Sequence, residues 1–339
     1  MENKDYLQRQ IITYIGNKRQ LLPLITHGIN NVRNDLKQDK ISFLDLFSGS
    51  GVVSRYAKQF SHTIIANDLE YYSYVINDCY LSNKEELDHD QIMYYYQMLK
   101  SKENDIHEGF ISKNYAPIDD HDIQIGERVF YTRRNAIYLD NMINNIHQEI
   151  PLSYQKYFIA PLLAEASIHV NTAGVFKGFY KDGDGRGAFG AKGKNALSRI
   201  MADIYLPFPV FSKYSTTNHI YQKDANELIK SLPQVDICYL DPPYNQHPYG
   251  SNYFMLNAIA KNHLAKEISK VSGIPINWRR SKYNSRKQFG NQLEDIISNV
   301  KARYVLLSFN NEGFLTRNEI EIILKRYGNL KILKANFLP

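Results

Sequence analysis

Asp241-Pro242-Pro243-Tyr244 follows directly on the apolar run Val235-Asp236-Ile237-Cys238-Tyr239-Leu240. Two consecutive prolines lack backbone donors and fix φ, which leaves carbonyls turned outward with no partner. A carboxylate and a flat aromatic ring stand beside them. An acceptor pair next to a stacking surface suits an exocyclic amino group on a planar base. A strand that merely stops at two prolines accounts for the prolines but not for the Asp and the Tyr.

A second constellation, Phe43-Leu44-Asp45-Leu46-Phe47-Ser48-Gly49-Ser50-Gly51, reads as a strand, a tight turn with two glycines, and a following helix. Glycines there let the backbone approach a ligand that a Cβ would exclude, at the strand ends where open α/β sheets bind ligands. The third glycine of the dinucleotide fingerprint is absent and no Gly-Lys-Ser/Thr marks a P-loop, so a nicotinamide-dependent oxidoreductase does not fit. Asp68 closes the next strand about 20 residues on, where a carboxylate accepts both ribose hydroxyls of an adenosyl group. The plainer reading is a glycine turn with a surface acid.

Positioning these groups requires strands and helices in alternation. Ile41 to Phe47, Thr63 to Asp68, Val235 to Leu240 and Ala302 to Phe309 read as strands. Val52 to Phe60, Ala225 to Leu232, Asn291 to Val300 and Asn318 to Tyr327 carry helical patterns. The alternation implies an α/β fold with a mostly parallel sheet covered by helices on both faces. Residues 80–215 lack that rhythm. They hold helical stretches at Asp90 to Lys100, Arg134 to His147 and Gln155 to Ile168, and the glycine-rich stretch Lys181 to Lys194. They read as an insertion between two parts of one sheet domain.

The 339 residues, 43% of them hydrophobic, suffice for a substantial core and exclude a disordered or fibrous class. No apolar run approaches the ~20 residues of a membrane helix, and the first residues are no secretory signal. The two cysteines, Cys79 and Cys238, cannot build a disulfide framework or a Cys-rich zinc site, and a cytoplasmic location is the expectation. The net charge of +6 is unevenly spread. Residues 1–150 hold 16 basic and 21 acidic side chains, whereas residues 151–339 hold 25 and 14, which points to a polyanion met by the second half.

Together the two constellations resemble the amino-group DNA methyltransferases, and more closely the class of N6-adenine methyltransferases that includes the Dam methylases. The resemblance covers most of the chain. Tyr14-Ile15-Gly16-Asn17-Lys18 matches that family's amino-terminal Tyr-x-Gly-x-Lys element, and Asp224-Ala225-Asn226 stands where the family contacts the cofactor adenine. Asn245 to Ala260 and Leu307 to Gly313 are also similar to family segments. The resemblance implies a Rossmann-like methyltransferase sheet, residues 1–80 and 215–339, with an inserted mostly helical target-recognition domain, residues 81–214. It implies S-adenosylmethionine as cofactor, bound by Tyr14, Gly16 and Lys18, by Asp45, Phe47, Gly49, Ser50 and Gly51, and by Asp68, Asp224, Ala225 and Asp241. Asp241, Pro242, Pro243 and Tyr244 are then the catalytic group. The family usually ends on a further sheet strand after the segment Asn318 to Lys334, whereas this chain stops at Phe337-Leu338-Pro339, so a shortened terminal strand or a truncated chain is implied.

The expected reaction is site-specific methyl transfer to adenine N6 in double-stranded DNA. Asp241 and the Pro242 carbonyl accept the two amino hydrogens, and Tyr244 stacks on a base flipped from the duplex. An RNA or protein-amide acceptor is the second reading, since related Pro-Pro-Tyr motifs serve those substrates. A catalytically silent nucleic-acid-binding partner is the third, and the presence of Asp241, Tyr244, Asp68 and Lys18 argues against it. A restriction–modification setting with a companion endonuclease, and a monomer or weak dimer, complete the expectation.

Two basic elements are candidates for DNA. Lys181, Arg186, Lys192 and Lys194 flank the glycines of residues 183–193, either a loop that orders on DNA or a plain surface loop. Arg279, Arg280, Lys282, Arg286 and Lys287 cluster with Trp278 and Tyr283 interleaved, either on phosphates or as a solvated face. Asp119-Asp120-His121-Asp122 is read as a solvated loop, and no metal is expected.

Overall fold

Five runs of the chain line up as parallel strands: β1 (Ile41–Asp45), β2 (Ser61–Asn67), β3 (Thr217–Tyr221), β4 (Val235–Leu240) and β5 (Ala302–Leu307), in the spatial order β3-β2-β1-β4-β5. The computed structural model describes residues 2–310 and 312–333. β4 is buried along its whole length, as its unbroken apolar run requires of a central parallel strand. Its one charged residue, Asp236, is satisfied by the amide and hydroxyl of Ser42, each at 2.8 Å.

Alternating side chains divide the strands between two helical layers. Phe43, Ile237 and Tyr239 face the helices Leu22–Leu36 and Val52–Ala57 through Ile25, Ile29 and Val53. Leu44, Ile65, Cys238 and Leu240 face the helices Ala225–Leu228, Arg286–Asn299 and Arg317–Lys325 through Leu228, Leu293 and Ile320. Both faces are thus covered, the condition for an all-parallel sheet. No helix among the described residues is long and apolar enough to cross a membrane.

The middle of the chain is helical, with long helices at Arg133–Glu149 and Leu152–Ile168. The second of these is apolar on nearly every side, and its buried residues share one core cluster with the helices Tyr71–Tyr80 and Phe254–Lys261, which belong to the sheet-bearing parts. Residues 81–214 therefore pack into a common core.

One element and several boundaries differ from the sequence reading, among them the helix read from Asn291, which starts at Arg286. β3 was not expected: its pattern Thr-Asn-His-Ile-Tyr is half-exposed and polar, because it is an edge strand with one open side. The helical pattern from Val52 closes as an α-helix at Ala57 and continues as a 3-10 turn to Phe60. The helix from Ala225 ends at Leu228, four residues early. β1 ends at Asp45 and β5 at Leu307, so Phe47 and Phe309 fall in the loops beyond the strand ends. The expectation of a shortened terminal strand concerns residues 334–339, which lie outside the described residues.

Candidate functional site

A pocket opens at the carboxyl ends of β1 to β4, walled by Phe47 after β1, Asp68 and Glu70 after β2, Asp224 after β3 and Asp241 after β4. In the order β3-β2-β1-β4-β5 the chain reverses its direction of winding between β1 and β4. Open α/β sheets bind ligands in the crevice at that switch point.

The turn after β1 explains the two glycines. Gly49 has φ +51° and Gly51 φ +75°, both in the left-handed region. A Cβ on Gly49 would stand 2.9 Å from Cε1 of Tyr14, and one on Gly51 would stand 3.0 Å from Oδ1 of Asn77. The Gly49 amide donates to Asp68 Oδ2 at 2.8 Å, and the Glu70 amide donates to Oδ1 at 2.9 Å. Asp68 thereby clasps the turn while facing the pocket. Burial pushes its carboxyl up, and the backbone donors pull it back.

Residues 14–18 cross the sequence distance to the Asp-Pro-Pro-Tyr loop. The Tyr14 ring stacks on Tyr253 at 4.7 Å and Tyr249 at 5.0 Å. The Tyr253 hydroxyl accepts from the Ile15 amide at 2.6 Å. Gly16, at φ +73°, turns its carbonyl toward Lys18 Nζ, which donates to it at 2.8 Å and meets Asp241 Oδ2 at 2.8 Å. Burial raises the Asp241 pKa, and the ammonium of the buried Lys18 opposes that rise without cancelling it. Asp241 Oδ1 is out of solvent and has no hydrogen-bond partner among the described residues. No described backbone N–H bonds the Pro242 carbonyl. Asp241 Oδ1 and the Pro242 carbonyl are therefore two neighbouring acceptors that no described hydrogen bond engages.

The remaining expected residues divide by depth. Tyr14, Phe47, Asp68, Asp224, Ala225, Asp241 and Pro243 line the pocket. Asp224 caps the helix Ala225–Leu228, accepting from the Asn226 amide at 2.9 Å and the Glu227 amide at 3.2 Å. Asp45 lies beneath the pocket, where it accepts from the Ser54 hydroxyl at 2.7 Å and burial pushes its carboxyl up to about 7. Ser50, in the turn, and Pro242, within the Asp-Pro-Pro-Tyr loop, are buried and are not among the lining residues. Tyr244 is outside the lining: its ring tilts against Phe309 at 5.2 Å, and the Phe314 amide donates to its carbonyl at 2.9 Å.

Among the wall residues that the sequence did not assign to the pocket, three stand out. Glu70 is buried against Asn257, which donates to Oε2, and burial raises its carboxyl to about 7. Tyr249 closes the side beside Tyr14. Tyr283, read as an aromatic among DNA-facing cations, is buried in the wall instead, its edge on Phe47 and its hydroxyl donating to Asn226 Oδ1 at 2.9 Å. Its position between basic residues concealed that the 3-10 turn Lys282–Asn284 points it inward.

The nine candidate DNA cations are all exposed, and none makes an ion pair among the described residues. Lys181 and Gly187 pair across a turn, within which Asp182 Oδ1 accepts from the Arg186 amide at 2.9 Å. The base of that glycine-rich segment is pinned, since the Gly190 amide donates to Asn171 Oδ1 at 3.0 Å. Arg279 stands apart from the other eight because it also lines the pocket.

The family model described as D12 class N6 adenine-specific DNA methyltransferase matches residues 14–321. The type II methyltransferase M.NlaIII of Neisseria lactamica is 30% identical over 334 residues, covering 96% of this chain and 91% of that protein. M.CviAII of Paramecium bursaria Chlorella virus 1 is also 30% identical, over 96% of this chain and 91% of its own length. M.FokI of Planomicrobium okeanokoites is 31% identical over 93% of this chain, which spans 47% of that longer protein. No solved structure gives a significant match.

Proposed function

Because the chain belongs to the D12 class of N6 adenine-specific DNA methyltransferases, we propose that the pocket holds S-adenosylmethionine and that Asp241 and the Pro242 carbonyl receive the target amino group. The relatives are type II modification methylases, so the setting is restriction–modification, with site-specific action on double-stranded DNA in the cytoplasm. The observation that carries the residue assignment is the Asp241 carboxylate: Oδ2 is held by Lys18, and Oδ1 is buried, unpartnered and on the pocket wall.

The pocket fits the cofactor. Asp68 and Glu70 offer carboxylates at the end of β2 to ribose hydroxyls, Phe47 and Tyr283 offer flat apolar surface to adenine, and Tyr14 closes the turn at Gly49. When bound, S-adenosylmethionine supplies an electrophilic methyl group on a sulfonium. Everything else falls to the chain.

An adenine amino group is a weak nucleophile because its lone pair is delocalised into the ring. Asp241 Oδ1 and the Pro242 carbonyl accept its two hydrogens, which favours a pyramidal nitrogen with the lone pair free. Lys18, paired with Oδ2 at 2.8 Å, opposes the burial that raises the Asp241 pKa and so favours the ionised form, the one that accepts at both oxygens. Once the nitrogen has gained its substituent it carries a surplus proton, and the carboxylate already bonded to it takes that proton. Catalysis by such fixed acceptors is mainly positional and electrostatic. Tyr244, backed by Phe309, stacks on the extruded base, and residues 81–214 read the site.

Incubation with methyl-labelled cofactor and unmethylated DNA, followed by nucleoside analysis, tests the assignment. Label is expected in N6-methyladenine, and Asp241→Ala is expected to abolish it while leaving the far-UV circular dichroism unchanged. Near-normal methylation by that variant would remove Asp241 from the mechanism.

A further inference from the structure

The segment Trp278 to Asn284 crosses the outer side of the pocket and is tied to three of its walls. Arg279 Nη1 donates to the Leu69 carbonyl, beyond β2, at 3.0 Å. Asn284 Nδ2 donates to the Asn245 carbonyl, in the loop after the Asp-Pro-Pro-Tyr residues, at 2.9 Å. The Tyr283 hydroxyl reaches Asn226 and the Gln292 carbonyl, at 2.9 and 3.1 Å. The segment also presses on Gly250, where a Cβ would meet the Arg279 carbonyl oxygen at 2.5 Å and Trp278 Cε3 at 3.3 Å. Only a glycine lets the strap lie so close to the helix that follows the catalytic loop.

Within this strap the cations split by direction. Arg280 lays its guanidinium over the Trp278 ring at 4.9 Å on the exposed side, and Lys282 is exposed with it. Arg279 alone turns to the pocket, against Leu69 and beside the buried Glu70 carboxyl. Bonded to the Leu69 carbonyl, its guanidinium spans the mouth from the strap to the β2 loop.

We infer that Arg279 is a positioning residue that latches the Trp278–Asn284 strap over the cofactor pocket, and that it does not contact DNA phosphate, whereas its neighbour Arg280 does. This rests on the reading of the pocket as the S-adenosylmethionine site. The latch closes the outer wall around bound cofactor, so its loss raises cofactor dissociation without touching the phosphate count. A phosphate contact behaves the other way: its loss weakens DNA binding across sequences and lowers the salt slope by about 1.

The test measures S-adenosylmethionine affinity by calorimetry without DNA, and DNA affinity across a salt series, for wild type, Arg279→Gln, Arg280→Gln and Phe47→Ala, each shown to be folded by its thermal melt. Arg279→Gln is expected to weaken cofactor binding about 10-fold, the size of one charge-assisted hydrogen bond, with the DNA salt slope unchanged. Arg280→Gln is expected to keep the cofactor affinity and to lower the slope. In turnover, Arg279→Gln is expected to raise the cofactor KM with kcat held at saturation. A cofactor affinity within twofold of wild type, a lowered salt slope or a fallen kcat in Arg279→Gln overturns the inference. Phe47→Ala separates the two levels: if it and Arg279→Gln both bind cofactor normally, the pocket reading fails. If it alone weakens binding, the pocket stands and the latch fails.

Discussion

Lys18 and Asp241 lie far apart in the sequence and meet at 2.8 Å in a buried place. Each was singled out separately from its motif, but no rule of spacing pairs residues so distant. The pairing has a consequence that can be measured. Burial raises the Asp241 pKa and Lys18 lowers it, so removing the ammonium lets burial act unopposed. With the carboxylate as the proposed acceptor for an amino hydrogen, protonation replaces an acceptor by a donor, so activity is expected to fall as pH drops through the folded pKa. Lys18→Met is therefore expected to move the acid limb of the kcat profile to higher pH, with the alkaline limb in place. A profile that only scales down, with both limbs unmoved, would mean that Lys18 does not act through Asp241. Tyr283 carries the opposite lesson. A tyrosine among basic residues suggested an exposed aromatic, and only the turn Lys282–Asn284, set by tertiary packing on Phe47 and Asn226, buries it.

Strands reveal themselves in sequence to the degree that their residues are apolar. β1, β2 and β4 are apolar runs ended by an acid or by prolines, and each was legible together with the end that now borders the pocket. β3 was not, because Thr-Asn-His-Ile-Tyr is polar and half-exposed, whereas β5, at the other edge of the described sheet, carries the apolar run Tyr-Val-Leu-Leu. The turn after β1 was legible as a glycine turn, but not the reason that Gly49 must be one. The structure supplies two: φ of +51°, and a Tyr14 ring where a side chain would begin. Gly49→Ala is accordingly expected to cost about 1–2 kcal/mol from the left-handed backbone alone. It is also expected to push Tyr14 off its stack on Tyr249 and Tyr253. Urea unfolding measures the first effect. Loss of cofactor affinity larger than the stability change explains measures the second, and an affinity equal to wild type would mean that the Tyr14 stack does not shape the pocket.

At the scale of the whole molecule, the uneven charge of the sequence acquires positions. The acidic surplus of the first half includes Asp45 and Glu70, buried under and in the wall of the pocket, and the half-buried Asp68, so part of that surplus is withdrawn from solvent. The basic surplus of the second half includes Arg280, Lys282, Arg286 and Lys287 beside the pocket strap, and Lys181, Arg186, Lys192 and Lys194 around the glycine turn, all exposed and without ion pairs among the described residues. Exposed cations held free of carboxylates are what a phosphate backbone needs, since each one that neutralises a phosphate releases a condensed counterion. The logarithm of affinity then falls linearly with the logarithm of salt, by about 0.9 per contact. Replacing Arg280, Lys282, Arg286 and Lys287 by glutamine is expected to flatten that slope by up to about 4, with DNA affinity lost evenly over specific and unrelated duplexes. Replacing the four around the glycine turn tests the two readings of that loop. A comparable flattening makes it a DNA contact, and an unchanged slope makes it a plain surface loop whose base is pinned at Asn171 for the fold alone. Base choice should survive both replacements, because phosphate contacts position a duplex without reading it. If specificity falls with the slope, these cations reach base edges, and recognition is shared between the strap and residues 81–214.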